Sequence, residues 1–164
     1  VFWMLFLDNL PVVRQFFPAY HKRNQSFFQK ERNVDWIQGA FLCFRSELVQ
    51  RVGLFDEKIF LYAEDVDWCW RARRKGFRAV FTPVGQIRHL GQGSSGFSPH
   101  RAIRGELEVI PYLYKKFYGR AAAWFILALL VFGSLLRIAV FGIIQRRRDL
   151  ASAYVGYLTR VSLS

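Results

Sequence analysis

The sequence is poor in cysteine and in acidic residues. Its two cysteines, Cys43 and Cys69, stand in apolar surroundings without the spacing of metal ligands, which excludes a disulfide scaffold and a cysteine-rich zinc module. We predict two buried free thiols in a reducing compartment. Twelve acidic residues against 24 lysines and arginines give a formal charge of +12. This excess indicates a polyanionic partner such as nucleic acid, a nucleotide or pyrophosphate group, or an anionic lipid surface.

The sequence also shows neither an initiator methionine nor a signal-peptide pattern. It begins with Val1, and no basic start is followed by an apolar stretch and a small-residue cleavage site. We therefore expect a fragment of a longer protein. Of its 164 residues, 52% are hydrophobic and 18% aromatic, which is too apolar for a disordered chain. The length suits one domain, or half of a larger domain with an appendage.

The most informative stretch holds three carboxylates within four positions, Glu64, Asp65 and Asp67. It predicts a helix that begins near Glu64, because acids in the first turn and bases in the last complement the helix dipole. Gly76 would end this helix in a left-handed cap. Asp67 and Arg71 are spaced to pair on one helix face. The same helix would bury a stripe formed by Val66, Cys69 and Trp70.

The local pattern leaves two interpretations of Glu64 and Asp65 open. Both residues could simply cap the N-terminus of the helix. Alternatively, a carboxylate at a helix start on the edge of a core is placed to take a proton from a substrate or to bind a metal. The choice between the two depends on the surrounding motifs.

Several motifs in a fixed order surround these acids. They are Val34-Asp-Trp-Ile-Gln-Gly-Ala-Phe-Leu, Arg45 to Val52, Gly53-Leu-Phe-Asp-Glu, Phe60-Leu-Tyr-Ala-Glu-Asp-Val-Asp, Arg73-Arg-Lys-Gly-Phe and Ile87-Arg-His-Leu-Gly-Gln-Gly-Ser-Ser. In residue types, order and spacing, residues 34–95 resemble the C-terminal half of the catalytic domain of inverting family 2 glycosyltransferases, especially the rhamnosyltransferase-like and galactofuranosyltransferase-like members. The resemblance implies an α/β fold. It would be the acceptor-side half of a GT-A-type nucleotide-diphospho-sugar transferase, followed by apolar membrane-associated helices.

The resemblance also implies roles for particular residues. Asp65 would be the general base that deprotonates the acceptor hydroxyl, and Glu64 would hold acceptor hydroxyls or orient the base. His89 would join a divalent metal, Mg²⁺ or Mn²⁺, at the donor diphosphate, although a structural histidine is the alternative. For Asp67, its pairing with Arg71 is a sufficient structural explanation. Substrate contacts would come from Trp36, Gln38, Gly39, Ala40, Asp67, Ser94 and Ser95.

Residue patterns predict further elements on either side of the acids. Residues 35–45 alternate and are rich in aromatic side chains, which predicts a strand with both faces partly covered. Gly39 within it indicates the close approach of a ligand or another backbone. Ser46 would cap a short helix that ends before Gly53. Short strands are predicted at residues 78–82 and 86–89.

The C-terminal third has a helical and apolar character. Residues 102–118 read as a helix, and residues 121–144 are apolar apart from Arg137. At 1.5 Å per residue the apolar run reaches about 36 Å, enough for one membrane crossing. Basic residues flank it on both sides, which favours an in-plane helix on the cytoplasmic leaflet over a crossing. Arg137 would then have to snorkel or find a partner, and a core helix of a soluble domain is the remaining alternative.

These observations divide the chain into three parts. Residues 1–33 would be a connecting helix and loop, residues 34–98 the acceptor and catalytic half, and residues 99–164 a helical tail with the membrane-associated segment 121–144. Ahead of Asp35 there is neither an Asp-x-Asp motif nor a glycine-rich or alternating strand set. We therefore expect that the nucleotide-binding half is absent and that the fragment is inactive alone.

The predicted function is the transfer of a sugar, with inversion, from a nucleotide-sugar donor to a lipid-linked or polysaccharide acceptor. It would take place at the cytoplasmic face of the cell membrane, in cell wall polysaccharide biosynthesis, without a nucleic-acid partner. Two alternatives from other classes stay open. One is a nucleic-acid-binding module, suggested by charge and aromatic content, although it leaves the apolar run unexplained. The other is a basic membrane-associated scaffold without chemistry.

Overall fold

A computed structural model describes residues 25–89 and 98–161. The chain divides into two compact units, one formed by Arg23–Gly91 and one that includes Gln92–Ser164. We call them the α/β unit and the helical unit. Ser94 and Ser95, predicted to contact substrate, lie outside the described residues, as does most of the predicted connecting segment. The predicted three-part division of the chain stays a prediction.

The α/β unit contains two short strands and two helices. Strand β1 (Arg32–Val34) pairs antiparallel with strand β2 (Ala79–Phe81), so that Asn33 lies opposite Val80. The strand predicted at residues 78–82 is thereby confirmed. Single 3-10 turns lie at Gln25–Gln29 and Gly39–Phe41, and the helices are α1 (Ser46–Val52) and α2 (Glu64–Arg74).

The strand predicted at residues 35–45 is wrong. Beyond β1 the chain bends into the turn Gly39–Phe41. Phe44 packs on α2 instead of covering a sheet, since its ring lies 4.6 Å from that of Trp68 between centroids, and Phe41 is exposed. The strand predicted at residues 86–89 is also wrong, because those residues are irregular.

Two smaller predictions also fail. Ser46 is the first residue of α1 and not its cap, because Arg45 holds the cap position and no side chain bonds to the helix start. Gly53 does follow the helix as predicted. Its φ is +85°, and its N–H donates a hydrogen bond to the carbonyl of Val49 in the last turn. Cys43 is exposed, whereas Cys69 is buried as predicted. Both thiols are free.

Helix α2 confirms the prediction at both of its ends. It begins at Glu64 and is followed by Gly76, whose φ of +85° favours glycine. The N–H groups of Gly76 and Phe77 donate to carbonyls of the last turn at 3.0 and 3.1 Å, the two bonds of a Schellman cap. This end of the helix is therefore set by local backbone chemistry.

The buried face of α2 differs from the prediction at one position. Val66 and Cys69 are buried, but Trp68 is the buried tryptophan, at 4% exposure, and Trp70 is only half-buried. The indole N–H of Trp68 donates to the carbonyl of Gly53 at 2.9 Å. Its one polar atom is thus satisfied inside the core.

A buried ion pair joins α2 to the end of α1. Asp67 is fully buried, and Oδ2 accepts a hydrogen bond from Nε of Arg71 at 2.8 Å. The same guanidinium donates to the carbonyls of Val52 and Leu54, each at 2.7 Å. The predicted pair is confirmed, and Arg71 also satisfies two carbonyls that the chain leaves at the end of α1.

Within residues 98–161 the helical unit has three α-helices, α3 (Pro99–Tyr118), α4 (Arg120–Ala139) and α5 (Arg148–Leu158). A π-helical turn, Val140–Ile144, extends α4 into a helix of 25 residues that is long and apolar enough to cross a membrane. The helices predicted at residues 102–118 and 121–144 are confirmed, while α5 was not predicted. Their common core is formed by Leu107, Ile126, Leu130 and Tyr157.

The one charge inside the apolar run faces the interior of the helical unit. Arg137 is 5% exposed, and its guanidinium lies 5.6 Å from the centre of the Tyr154 ring. Burial raises the pKa of the Glu106 carboxyl, and the positive charge of Arg137 opposes that rise. Arg137 therefore has partners within the unit, one of the two outcomes expected for a charge in this run.

We expect Arg71→Ala to lower the free energy of unfolding by about 3–5 kcal/mol, because it leaves the buried Asp67 carboxylate without its cation. Arg73→Ala is the matched control. Arg73 pairs with Asp35 at 2.7 Å, but both side chains are exposed, so its loss should cost less than about 1 kcal/mol. Denaturant unfolding of the full-length protein measures both. Equal losses would contradict the structural role given to Arg71.

Candidate active site

The carboxylate of Asp65 lies in the first turn of α2, where two backbone N–H groups hold it. Oδ2 accepts from the N–H of Gly39 at 2.8 Å, and Oδ1 accepts from the N–H of Val66 at 2.7 Å. The residue is 7% exposed. Because each oxygen has its own donor, the carboxylate is held in one orientation and each oxygen keeps acceptor capacity.

The surroundings of Asp65 also increase its basicity. Burial raises the pKa of its carboxyl above the ordinary value, and the hydrogen bonds from Gly39 and Val66 limit that rise. Desolvation disfavours the charged form, whereas hydrogen bonds to the carboxylate favour it. An ionised carboxylate with a raised pKa accepts a proton more readily than an ordinary aspartate does.

Gly39 is the residue that brings a distant part of the chain to Asp65. A Cβ added at Gly39 would lie 3.8 Å from both Cβ and Oδ2 of Asp65. The sequence predicted a close approach here by a ligand or another backbone, and the neighbour is a side chain 26 positions away. Of the predicted substrate contacts, Gln38, Gly39 and Ala40 are exposed in and beside this turn, and Trp36 is half-buried just before it.

Glu64 is next to Asp65 in the chain, and one oxygen of its carboxylate accepts no hydrogen bond from the described residues. It is half-buried, and its buried Oε2 has no hydrogen-bond partner among the described residues. Burial raises the pKa of its carboxyl, a backbone hydrogen bond opposes that rise, and the charge of Asp65 adds to it. A buried acceptor without a partner requires an explanation. A hydroxyl of a bound molecule would satisfy it.

The backbone that leads into the two acids is strained. Tyr62 and Ala63 have φ values of 66° and 63°, in the left-handed region that costs a residue with a Cβ about 1–2 kcal/mol. Such residues cluster at functional sites, where the surrounding structure holds them. The sequence contains no signal for this feature, because neither residue is a glycine, an asparagine or an aspartate.

Two other predicted site residues, Asp67 and His89, are not part of this arrangement around Asp65 in the described structure. Asp67 is inaccessible because it is fully buried against Arg71, which favours its structural interpretation. His89 is exposed, and in residues 25–89 and 98–161 no group of three His, Cys, Asp or Glu side chains is placed to hold a metal. The described residues therefore do not form a metal site by themselves. A role of His89 in one stays a prediction.

Comparisons with known proteins agree with the sequence motifs. The profile described as glycosyltransferase like family 2 matches residues 6–105. An N-acetylglucosaminyl-diphospho-decaprenol L-rhamnosyltransferase of Mycobacterium tuberculosis is 35% identical over 77 residues, which cover 47% of this chain and 25% of that protein. A rhamnosyltransferase of Escherichia coli is 32% identical over 84 residues, which cover 51% of this chain and 32% of that protein. The chain thus spans about a quarter to a third of these relatives, and no solved structure matches it significantly.

We expect Ala63→Gly to raise the free energy of unfolding by about 1 kcal/mol, because glycine adopts a positive φ without the Cβ penalty. Ala72→Gly makes the same chemical change within the regular part of α2, where it should lower stability by about 1 kcal/mol or more. Denaturant unfolding of both full-length variants tests the pair. A loss of stability at both positions would show that Ala63 is not strained.

Proposed function

This chain belongs to the glycosyltransferase-like family 2, whose profile covers well over half of it, and from this premise we propose that the full-length protein transfers a sugar from a nucleotide-sugar donor to a glycan acceptor with inversion. Family membership implies a GT-A-type fold. We assign the α/β unit to the acceptor-side half of that fold. The names of both relatives specify rhamnosyl transfer, so a nucleotide-activated rhamnose is the first donor to test.

The buried and oriented carboxylate of Asp65 is the observation that carries this proposal. In an inverting transfer, the acceptor oxygen attacks the anomeric carbon from the face opposite the leaving group. A bond forms between that oxygen and carbon while the bond from the carbon to the diphosphate breaks, and the nucleoside diphosphate leaves with the electron pair. The acceptor proton passes to Asp65, whose raised pKa suits a general base.

Glu64 supports the same assignment from the neighbouring position. Its Oε2, which has no partner in the part of the chain that the structure describes, can accept a hydrogen bond from a second hydroxyl of the acceptor sugar. Such a contact would hold the sugar so that its reacting hydroxyl meets Asp65, and orientation of this kind is a large part of the catalytic effect of an enzyme. Gln38, Gly39 and Ala40 line the exposed turn beside Asp65 and are the proposed neighbours of the bound sugar.

We extend the proposal to a lipid-linked acceptor at the cytoplasmic face of the cell membrane. The name of the M. tuberculosis relative specifies a sugar carried on a diphospho-decaprenol lipid. A lipid of this kind presents its sugar and diphosphate at the membrane surface. The excess of basic residues in this chain favours an anionic surface of that type. A polysaccharide acceptor is the other acceptor that the sequence predicts.

A divalent metal, Mg²⁺ or Mn²⁺, would supply counter-charge for the donor diphosphate in the full-length protein. The described residues do not complete such a site. His89 is the residue among them to which we assign a contribution, and the remaining ligands would come from other parts of the protein. The base assignment to Asp65 does not depend on this metal.

We expect Asp65→Asn to lower turnover by about 100-fold or more while the KM for the donor stays unchanged, because the amide cannot take up the acceptor proton. Asp35→Asn is the matched control, since Asp35 is exposed and pairs only with the exposed Arg73 in the described structure. Product formation from a nucleotide-rhamnose, with the anomeric configuration read by NMR, measures both transfer and inversion. Near-normal turnover of the Asp65 variant would remove it as the base.

We further expect the Gly39 N–H to set the pH dependence of the reaction. Replacing Gly39 by glycolic acid turns its amide into an ester, which removes the N–H without adding an atom. Loss of a hydrogen bond to the carboxylate raises the pKa of Asp65, so the acid limb of the kcat/KM profile should move to higher pH. Gly39→Ala keeps the N–H and adds only a methyl group at ordinary contact distance. Identical profiles for the ester and alanine variants would contradict this role.

A further inference from the structure

Helix α4 and its π-helical extension are apolar on two opposite faces. One face packs inside the helical unit and includes Ala123, Ile126, Leu127 and Leu130. The opposite face carries large apolar side chains that are each more than half exposed. We call this set the outer stripe, and it consists of Trp124, Phe125, Phe132, Leu135 and Ile143. Their spacing places them on one side of the helix.

The outer faces of the neighbouring helices are polar. The exposed side chains of α3 include Arg101, Arg104, Glu108, Lys115 and Lys116, and those of α5 include Arg148, Asp149 and Ser152. The large apolar side chains that these two helices expose are Tyr118 and Val155. The three described helices together are thus amphipathic, and the large apolar side chains that they expose are concentrated on α4 and its extension.

Charge is arranged around the outer stripe in a pattern that suits a membrane surface. Arg120 stands exposed at the start of α4, and Arg146, Arg147 and Arg148 stand exposed after its extension. Arg137, the charged residue inside the apolar run 121–144, points inward and is buried. The stripe is therefore uninterrupted by charge and bracketed by positive charge at both ends, which complements anionic lipid headgroups.

We propose that the helical unit binds an anionic membrane surface with α4 parallel to the membrane plane and its outer stripe inserted among the acyl chains. Trp124, at the start of the second turn of α4, then lies at the interface that tryptophan favours. Arg120 and Arg146 both reach headgroups of the same leaflet. This inference deepens the membrane location proposed above and is independent of the chemistry at Asp65.

The packing of α3 against α4 argues against a crossing. Arg137 lies five residues beyond the midpoint of the 25-residue helix, or about 7–8 Å from the centre of a bilayer that the helix would span. Glu106 of α3 is near enough to interact with Arg137. Arg104 lies two positions before Glu106 and Glu108 lies two positions after it. Their side chains form an exposed ion pair at 2.8 Å.

A crossing would carry that exposed ion pair into the hydrocarbon, which extends about 15 Å on either side of the centre. Exposed charges at such a depth are strongly unfavourable. With α4 in the membrane plane, the outer faces of α3 and α5 stay among headgroups or in water. The in-plane orientation therefore places both the apolar side chains of α4 and the charged side chains of α3 and α5 in suitable surroundings. A crossing would suit the side chains of α4 alone.

Vesicle binding of the full-length protein tests the outer stripe. Leu135→Glu places a charge on it, and Val155→Glu places the same charge on an apolar side chain amid the polar face of α5. We expect the parent and Val155→Glu to float with vesicles of phosphatidylglycerol and phosphatidylcholine, and Leu135→Glu to bind at least about tenfold more weakly. Pure phosphatidylcholine should bind the parent less well. Absence of parent binding, or equal binding by all three proteins, would overturn the proposal.

Labelling of the two helix ends separates the in-plane orientation from a crossing. Single cysteines are introduced by Arg120→Cys or Gln145→Cys in a Cys43→Ser background, since Cys43 is exposed and Cys69 is buried. On inside-out membrane vesicles, a membrane-impermeant maleimide should label both positions. If one position is labelled in intact vesicles and the other only after the membrane is permeabilised with detergent, the helix crosses the membrane. Neither measurement uses turnover, so the result does not depend on the proposed sugar transfer.

Discussion

Two carboxylates buried two positions apart, Asp65 and Asp67, are the constraint on which the α/β unit depends. The structure satisfies them by different means. Arg71 neutralises Asp67 and joins it to the end of α1, whereas Asp65 receives only neutral backbone N–H groups. A cationic partner would lower the pKa of a carboxylate and weaken it as a base. The pairing of Asp67 is thus structural, while Asp65 has no cationic partner among its hydrogen-bond donors and keeps the raised pKa that its proposed role as a base requires.

The features that could be predicted from the sequence are those with a local cause. The two ends of α2, its Gly76 cap and the pair Asp67 and Arg71 each depend on residues at most four or five positions apart. The failures have long-range causes. Residues 35–45 alternate in the sequence but do not pair in a sheet: Gly39–Phe41 forms a turn and Phe44 packs on Trp68, and alternation alone does not distinguish this arrangement from a strand.

The features of the candidate site also fall into two groups, those visible in the sequence and those that depend on contacts between distant residues. Motif resemblance located Glu64 and Asp65, because their order and spacing within the motifs are visible in the chain. It did not reveal that the N–H of Gly39 orients Asp65, since that contact joins positions 26 residues apart. The left-handed backbone at Tyr62 and Ala63 was equally hidden, because both residue types normally avoid it. These unfavourable conformations are tolerated only where the packed structure opposes their relaxation.

The charge of +12 does not require a nucleic-acid partner once the basic residues are sorted by their surroundings. Arg71 and Arg137 are largely buried and serve internal carboxylates or rings, so they are unavailable to an external polyanion. Arg73 and Arg104 hold surface ion pairs. Arg147 likewise pairs with Asp149 at 3.3 Å. Arg120, Arg146 and Arg148, which bracket α4 with it, are different because the exposed surface between them is apolar. A polynucleotide offers phosphates but no apolar phase, whereas an anionic bilayer offers both, and so the charge and the exposed apolar stripe together favour lipid.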